Sequence, residues 1–129
     1  MILKNSAICN NCKEEIESKH VHDMVYCKCG SIAVDGGRDY LKRTFIDPSD
    51  YKDTSIEDTG NHLTRRLHLR WGVNYTKQMK RLPETKWILI KDLNSEHIKA
   101  IIDGGYVDNN EFYMEVMMNE LIYREYLEG

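Results

Sequence analysis

In "TRRLHLRW", Leu67, Leu69 and Trp71 alternate with Arg66, His68 and Arg70, the period-two pattern of a half-buried strand. Leu63, Leu67 and Trp71 also stand at helical spacing. The strand is the favoured reading, because Gly72 ends it and "KWILIK" at 86–91 offers an antiparallel partner across a long basic loop. Downstream, Asn94 or Ser95 caps a short helix carrying Ile98, Ala100, Ile101 and Ile102, stopped by Gly104-Gly105. A second helix is predicted over about 108–127, starting near Asp108-Asn109-Asn110, with its acids early where the helix dipole favours them. Upstream, residues 31–34 and 39–45 read as strands around the turn Asp35-Gly36-Gly37-Arg38, whose glycines supply the positive φ of a tight hairpin. Residues 46–61, with Pro48, Gly60 and scattered acids, read as a linker or long loop.

Every cysteine falls in "CNNCKEEIESKHVHDMVYCKCG", as the pairs Cys9/Cys12 and Cys27/Cys29. A module of this size buries too little apolar surface to hold itself together, and a metal is a common staple. Close pairs suit Zn2+, since each grips one side of the ion and the loop between lets the grips meet. A redox C-x-x-C needs no second pair, and an iron–sulfur cluster ranks below zinc for a two-pair hairpin arrangement. Four sulfurs leave no open position for water, so the expected site is structural, with His20 and His22 outside it.

"IESKHVHD" and "CKCGSIAVDGGRDYL", over residues 7–43, resemble small cysteine-paired proteins of uncharacterised function from tailed bacteriophages and prophages. The stretch "RWGVNY…LPETKWILIKDLNSEHIKAII" resembles a second phage segment. The resemblance implies a phage-type origin and action in the host cytoplasm. It names no activity. Small non-enzymatic phage proteins often modulate host or defence machinery, which makes such a protein the expected partner.

Charge refines this picture. The net charge of −3 conceals segregation: 44–60 and 103–129 are acidic, while 61–83 carries Arg65, Arg66, Arg70, Lys77, Lys80 and Arg81 with no acid. With Trp71 and Tyr75 interleaved, that segment is the candidate nucleic-acid surface, its arginines neutralising phosphates and its aromatics stacking on bases. The competing reading pairs it with the chain's own acids. "EFYMEVMMNELIYREYLE" is apolar over more of its circumference than a peripheral helix requires. Such a helix is either central to the core, the commoner case, or meets another chain; on the second reading Met114, Met117, Met118 and Tyr123 are the candidate partner or homodimer surface, methionine adapting well to irregular faces. No apolar run is long enough to span a membrane, and the start of the chain lacks a signal peptide's apolar stretch, so a reducing cytoplasm is expected. No phosphate loop, nucleophile elbow or HExxH occurs, and Asp35 and Asp39 beside glycines read as turn residues, so no enzyme is expected.

The expected fold is α+β: a zinc-ribbon-like module over 1–45, an acidic linker over 46–61, and a domain over 62–129 with a small antiparallel sheet and two C-terminal helices.

Overall fold

The computed structural model describes Met1 to Glu128. The fold is mixed α+β, in two compact units, Met1–Thr59 and Gly60–Gly129.

The first unit is built on β1 (Ile2–Cys9), with antiparallel β2 (Glu15–Ser18) on one side. A second sheet joins β3 (Val25–Tyr26), β4 (Ile32–Asp35) and β5 (Lys42–Phe45) in that order. The Asp-Gly-Gly turn forms as expected, with Gly36 and Gly37 at φ 105° and 52°, but the strand after it starts only at Lys42. A side chain on Gly37 would run into the backbone of His20 and Val21, so only glycine fits.

The acidic stretch after Phe45 is not a linker. It forms a 3-10 turn (Pro48–Asp50) capped by Asp47, then β6 (Tyr51–Asp53) and β7 (Ile56–Glu57), both pairing with β1. Its acids are local fasteners: the Asp47 carboxylate accepts from the Ser49 amide, and the Asp50 carboxylate from the Asp47 amide. Strand pairing with β1 satisfies backbone groups that composition alone assigns to solvent.

Ala7, Cys9, Ile16, Cys27, Ile32 and Val34 form the apolar core, flanked by the fully buried polar centre of Asn5. Asn5 Nδ2 donates to the carbonyls of Asp35, Gly37 and Tyr40, and its Oδ1 accepts from Arg43. One side chain thereby ties β1 to the turn and strand that follow β4.

In the second unit the strand starts later than expected and Gly72 lies inside it rather than ending it. Residues 62–68 form a helix, α1 (His62–His68), capped by Asn61 Oδ1, which accepts from the amides of Leu63 and Thr64. The helix puts His62, Arg65 and Arg66 on one face, at i, i+3 and i+4, where each meets a group of the last helix. A strand would alternate Arg65 and Arg66 to opposite faces, so these pairings decide the conformation. The strand begins at Arg70: β8 (Arg70–Tyr75) pairs antiparallel with β9 (Arg81–Leu89), the partner expected from "KWILIK". Asn94 caps α2 (Ser95–Asp103), its side chain accepting from the His97 amide, and Gly104 and Gly105 end it. The helix α3 (Glu111–Glu128) completes the unit, making three helices where two were expected.

Leu69, Ile90, Ile98, Val116 and Met117 are buried, and so is Glu120 at 0 % exposure. Its Oε1 accepts from Arg66 Nε at 2.8 Å and His62 Nε2 at 2.9 Å, and its Oε2 from Arg124 Nε at 2.7 Å. A buried carboxylate is tolerated only with such partners. Burial pushes the Glu120 carboxyl up, but the hydrogen bonds from Arg66, Arg124 and His62 outweigh it and hold the group below its ordinary value of 4.5. A depressed folded value means stability present above pH 4.5 and lost as pH falls through the folded value.

Both tryptophans, Trp71 and Trp87, lie in this unit, so their fluorescence reports on it. Glu120→Gln should cost the second unit about 3 to 5 kcal/mol in urea melts followed by that signal. The wild-type unit should lose stability below about pH 4.5, and the variant should lose less over the same range.

Candidate metal centre

Two turns carry the thiols. Cys9 closes β1, and the chain reverses through Asn10 and Asn11 with Lys13 at φ 66°. The Lys13 amide donates to the Cys9 carbonyl, and the Cys12 amide points at Cys9 Sγ from 3.4 Å. The second turn runs Cys27-Lys28-Cys29-Gly30, where the Gly30 amide donates to the Cys27 carbonyl and Gly30 adopts φ 75°. The shortened C-x-C spacing is thus accommodated by a glycine in the left-handed region.

Other segments lock these turns in place. The Lys28 amide donates to Glu14 Oε1 at 2.9 Å, linking the second turn to the end of the first. The Asn10 amide donates to the Asp50 carbonyl, and the side chains of Asn10 and Asn11 donate to the Ser49 carbonyl and the Asp50 carboxylate. The stretch expected as a linker therefore clamps the first turn. Sequence reading missed Glu14, Asn10, Asn11 and Asp50 as supports; paired asparagines between the cysteines of a knuckle were the available signal.

The four sulfurs lie within 4.8 Å of one another. Cys9 and Cys29 are 3.7 Å apart, and Cys27 and Cys29 3.6 Å, with all four cysteines free thiols. A tetrahedron with metal–sulfur bonds of about 2.3 Å has edges of about 3.8 Å. The donor set therefore fits a metal ion. Cys9 and Cys27 are buried, Cys12 is half-buried and Cys29 is exposed, so the cluster opens to the surface at Cys29. His20 and His22 are outside the group.

The thiols differ electrostatically. The Ser31 hydroxyl and then its amide favour the Cys29 thiolate and pull it down to about 6. The Glu14 amide lowers Cys12. At Cys9 the Cys12 amide pulls down most strongly, yet burial and the neighbouring thiols carry the group up to about 11.

The structure disperses the basic candidates. Arg65 is buried, 4.8 Å over the Phe112 ring and paired with Glu115 at 3.4 Å. Arg66 is held by Glu120 and lies 4.6 Å over the Tyr123 ring, while Arg70 reaches the Trp87 carbonyl. Lys77, Lys80 and Arg81 lie exposed at the end of the β8–β9 hairpin. The α3 candidates divide as well: Met117 is buried core, Met114 and Tyr123 are half-buried, and Met118 is exposed. The exposed apolar line is Met118, Ile122 and Tyr126, at four-residue spacing, with Leu127 beside it. No described helix is long and apolar enough to cross a membrane.

A family model described as "Domain of unknown function (DUF7695)" matches residues 1–45, which include all four cysteines. No curated protein and no solved structure matches the chain.

In metal-free protein near neutral pH, iodoacetamide should label Cys29 first and Cys9 last, as read by peptide mass spectrometry. Saturating the site with metal should protect all four.

Proposed function

We propose that the cysteine cluster is a structural Zn2+ site in a zinc-ribbon-like module, and that the chain works by binding a protein rather than by catalysis. The observation that carries the metal reading is the four-sulfur set at tetrahedral-edge spacing. Four thiolates favour a soft or borderline ion, and zinc is the usual occupant of a closed site of four cysteines. Such a site has no coordination position left for a water nucleophile, so the ion organises the fold. Cys9 and Cys27 belong to the small apolar core, and metal binding there would be coupled to folding of the unit.

The protein-binding half rests on α3. Met118, Ile122 and Tyr126 expose 49, 60 and 82 % of their surface along one line of the helix. On the phage resemblance, the partner we infer is a host or defence protein, with a second copy of the chain as the other occupant. The nucleic-acid reading has less to draw on, since Arg65 and Arg66 are engaged by Glu115 and Glu120.

Purified protein should carry one zinc per chain by elemental analysis. Cys27→Ser should abolish it and collapse amide-exchange protection in the first unit, leaving tryptophan fluorescence unchanged. A variant that keeps both metal and protection overturns the ligand assignment. For the α3 surface, Ile122→Glu should remove a partner retained from bacterial lysate by the wild type. Light scattering at micromolar concentration separates that partner from a second copy.

A further inference from the structure

The sulfur cluster is enclosed unevenly. Cys9 and Cys27 expose 0 and 4 % of their surface, Cys12 is half-buried, and Cys29 is exposed. The turn that carries Cys29 faces solvent along its length, since Lys28 and Gly30 are exposed as well. Apart from its own chain neighbours, no heavy atom lies within 4 Å of where a side chain on Gly30 would begin. A small polar reagent therefore meets Cys29 before the other three sulfurs.

Two buried thiols stand directly behind it. Cys29 Sγ lies 3.6 Å from Cys27 Sγ and 3.7 Å from Cys9 Sγ, and all three are free. A disulfide holds its sulfurs at about 2.05 Å, so the 3.6 Å contact would have to shorten by about 1.6 Å. An exposed sulfur backed by a second thiol is the arrangement in which a sulfenic acid is captured as a disulfide before it oxidises further.

We propose that Cys29 is a site of oxidation by hydroperoxides, and that its oxidation disarms the metal centre. Cys29 Sγ attacks one peroxide oxygen and the O–O bond breaks; with hydrogen peroxide the products are a Cys29 sulfenic acid and one water. The thiol of Cys27 or Cys9 then attacks the Cys29 sulfur, forming the S–S bond and expelling a second water. The two thiols together lose two electrons and two protons, which convert the peroxide to those two waters. Ligation to an ion would slow attack on every sulfur, least at the one that solvent reaches. The consequence follows from the ligand count, because a disulfide sulfur is no longer an anionic donor and two thiolates are too few for a closed site. Cys9 and Cys27 also belong to the apolar core, so the first unit loosens with its centre. The second unit contains no cysteine and keeps its fold. The loss of metal rests on the zinc reading above, whereas the chemistry at Cys29 does not.

The test uses the unmutated full chain, its zinc content measured first, treated with limiting hydrogen peroxide with and without dimedone, which traps sulfenic acids. Peptide mass spectrometry should find dimedone first on Cys29, and in its absence a disulfide from Cys29 to Cys27 or Cys9. Zinc release should rise in step with that bond and amide exchange in the first unit should quicken, while tryptophan fluorescence holds. Dithiothreitol with added Zn2+ should reverse all three changes. Cys29→His offers a nitrogen ligand in place of the exposed sulfur, and peroxide should release its zinc about tenfold more slowly or less. Oxidation that begins at another cysteine, a Cys29 that passes straight to sulfinic acid, or zinc retained by chains carrying the disulfide would overturn the proposal. Chains that take up no zinc before treatment overturn the metal reading and the disarming with it, and the dimedone map still decides the chemistry at Cys29.

Discussion

Four cysteine sulfurs held within 4.8 Å of one another are the constraint on which the first unit depends. Its buried apolar set is short and includes two of the cysteines themselves, so the hydrophobic effect alone has little surface to act on. The four thiols sit in unequal surroundings: Ser31 draws Cys29 down to about 6, while burial and neighbouring thiols carry Cys9 up to about 11. A cation at the centre would favour every thiolate at once. The backbone is already arranged for this outcome. Both turns are closed by main-chain hydrogen bonds, and Glu14 and Asp50 tie each to its surroundings.

The second unit solves the same problem with charge in place of sulfur. Glu120 sits fully buried where α1 meets α3 and gathers His62, Arg66 and Arg124. Arg124 also donates to the Ile90 carbonyl and to Ser95 Oγ, so the network reaches the start of α2. Such a network is weak evidence for stability, because desolvating it is costly, but removing one member leaves a buried charge alone. Its effect is to specify the pairing of helices. It also withdraws two arginines from the surface, which changes what the basic segment can bind.

The parts of this fold legible in the sequence are those set by neighbours along the chain. The cysteine pairs are gathered in one short stretch, Asn94 caps the helix that follows it, and "DGG" makes its turn. The hairpin partner of Arg70 to Tyr75 was readable from two apolar runs of matching period. Where the reading failed, the deciding partner was distant. Arg65 and Arg66 find Glu115 and Glu120 at separations of 50 and 54 residues, and those contacts turn an ambiguous stretch into α1. Tyr51 to Asp53 look like loop until β1, far earlier in the chain, offers an edge.

By itself the sequence determined the donor chemistry of the sulfur site, the class of the fold and the placement of most caps and turns, because these follow from short-range sterics and hydrogen bonding. Only the tertiary structure decided which charges are spent and which are free, since the worth of an arginine depends on the carboxylate that reaches it. It likewise decided that, among the described residues, β8 pairs with β9 alone. Composition says that a strand forms, whereas the count of its neighbours is a property of how remote segments pack.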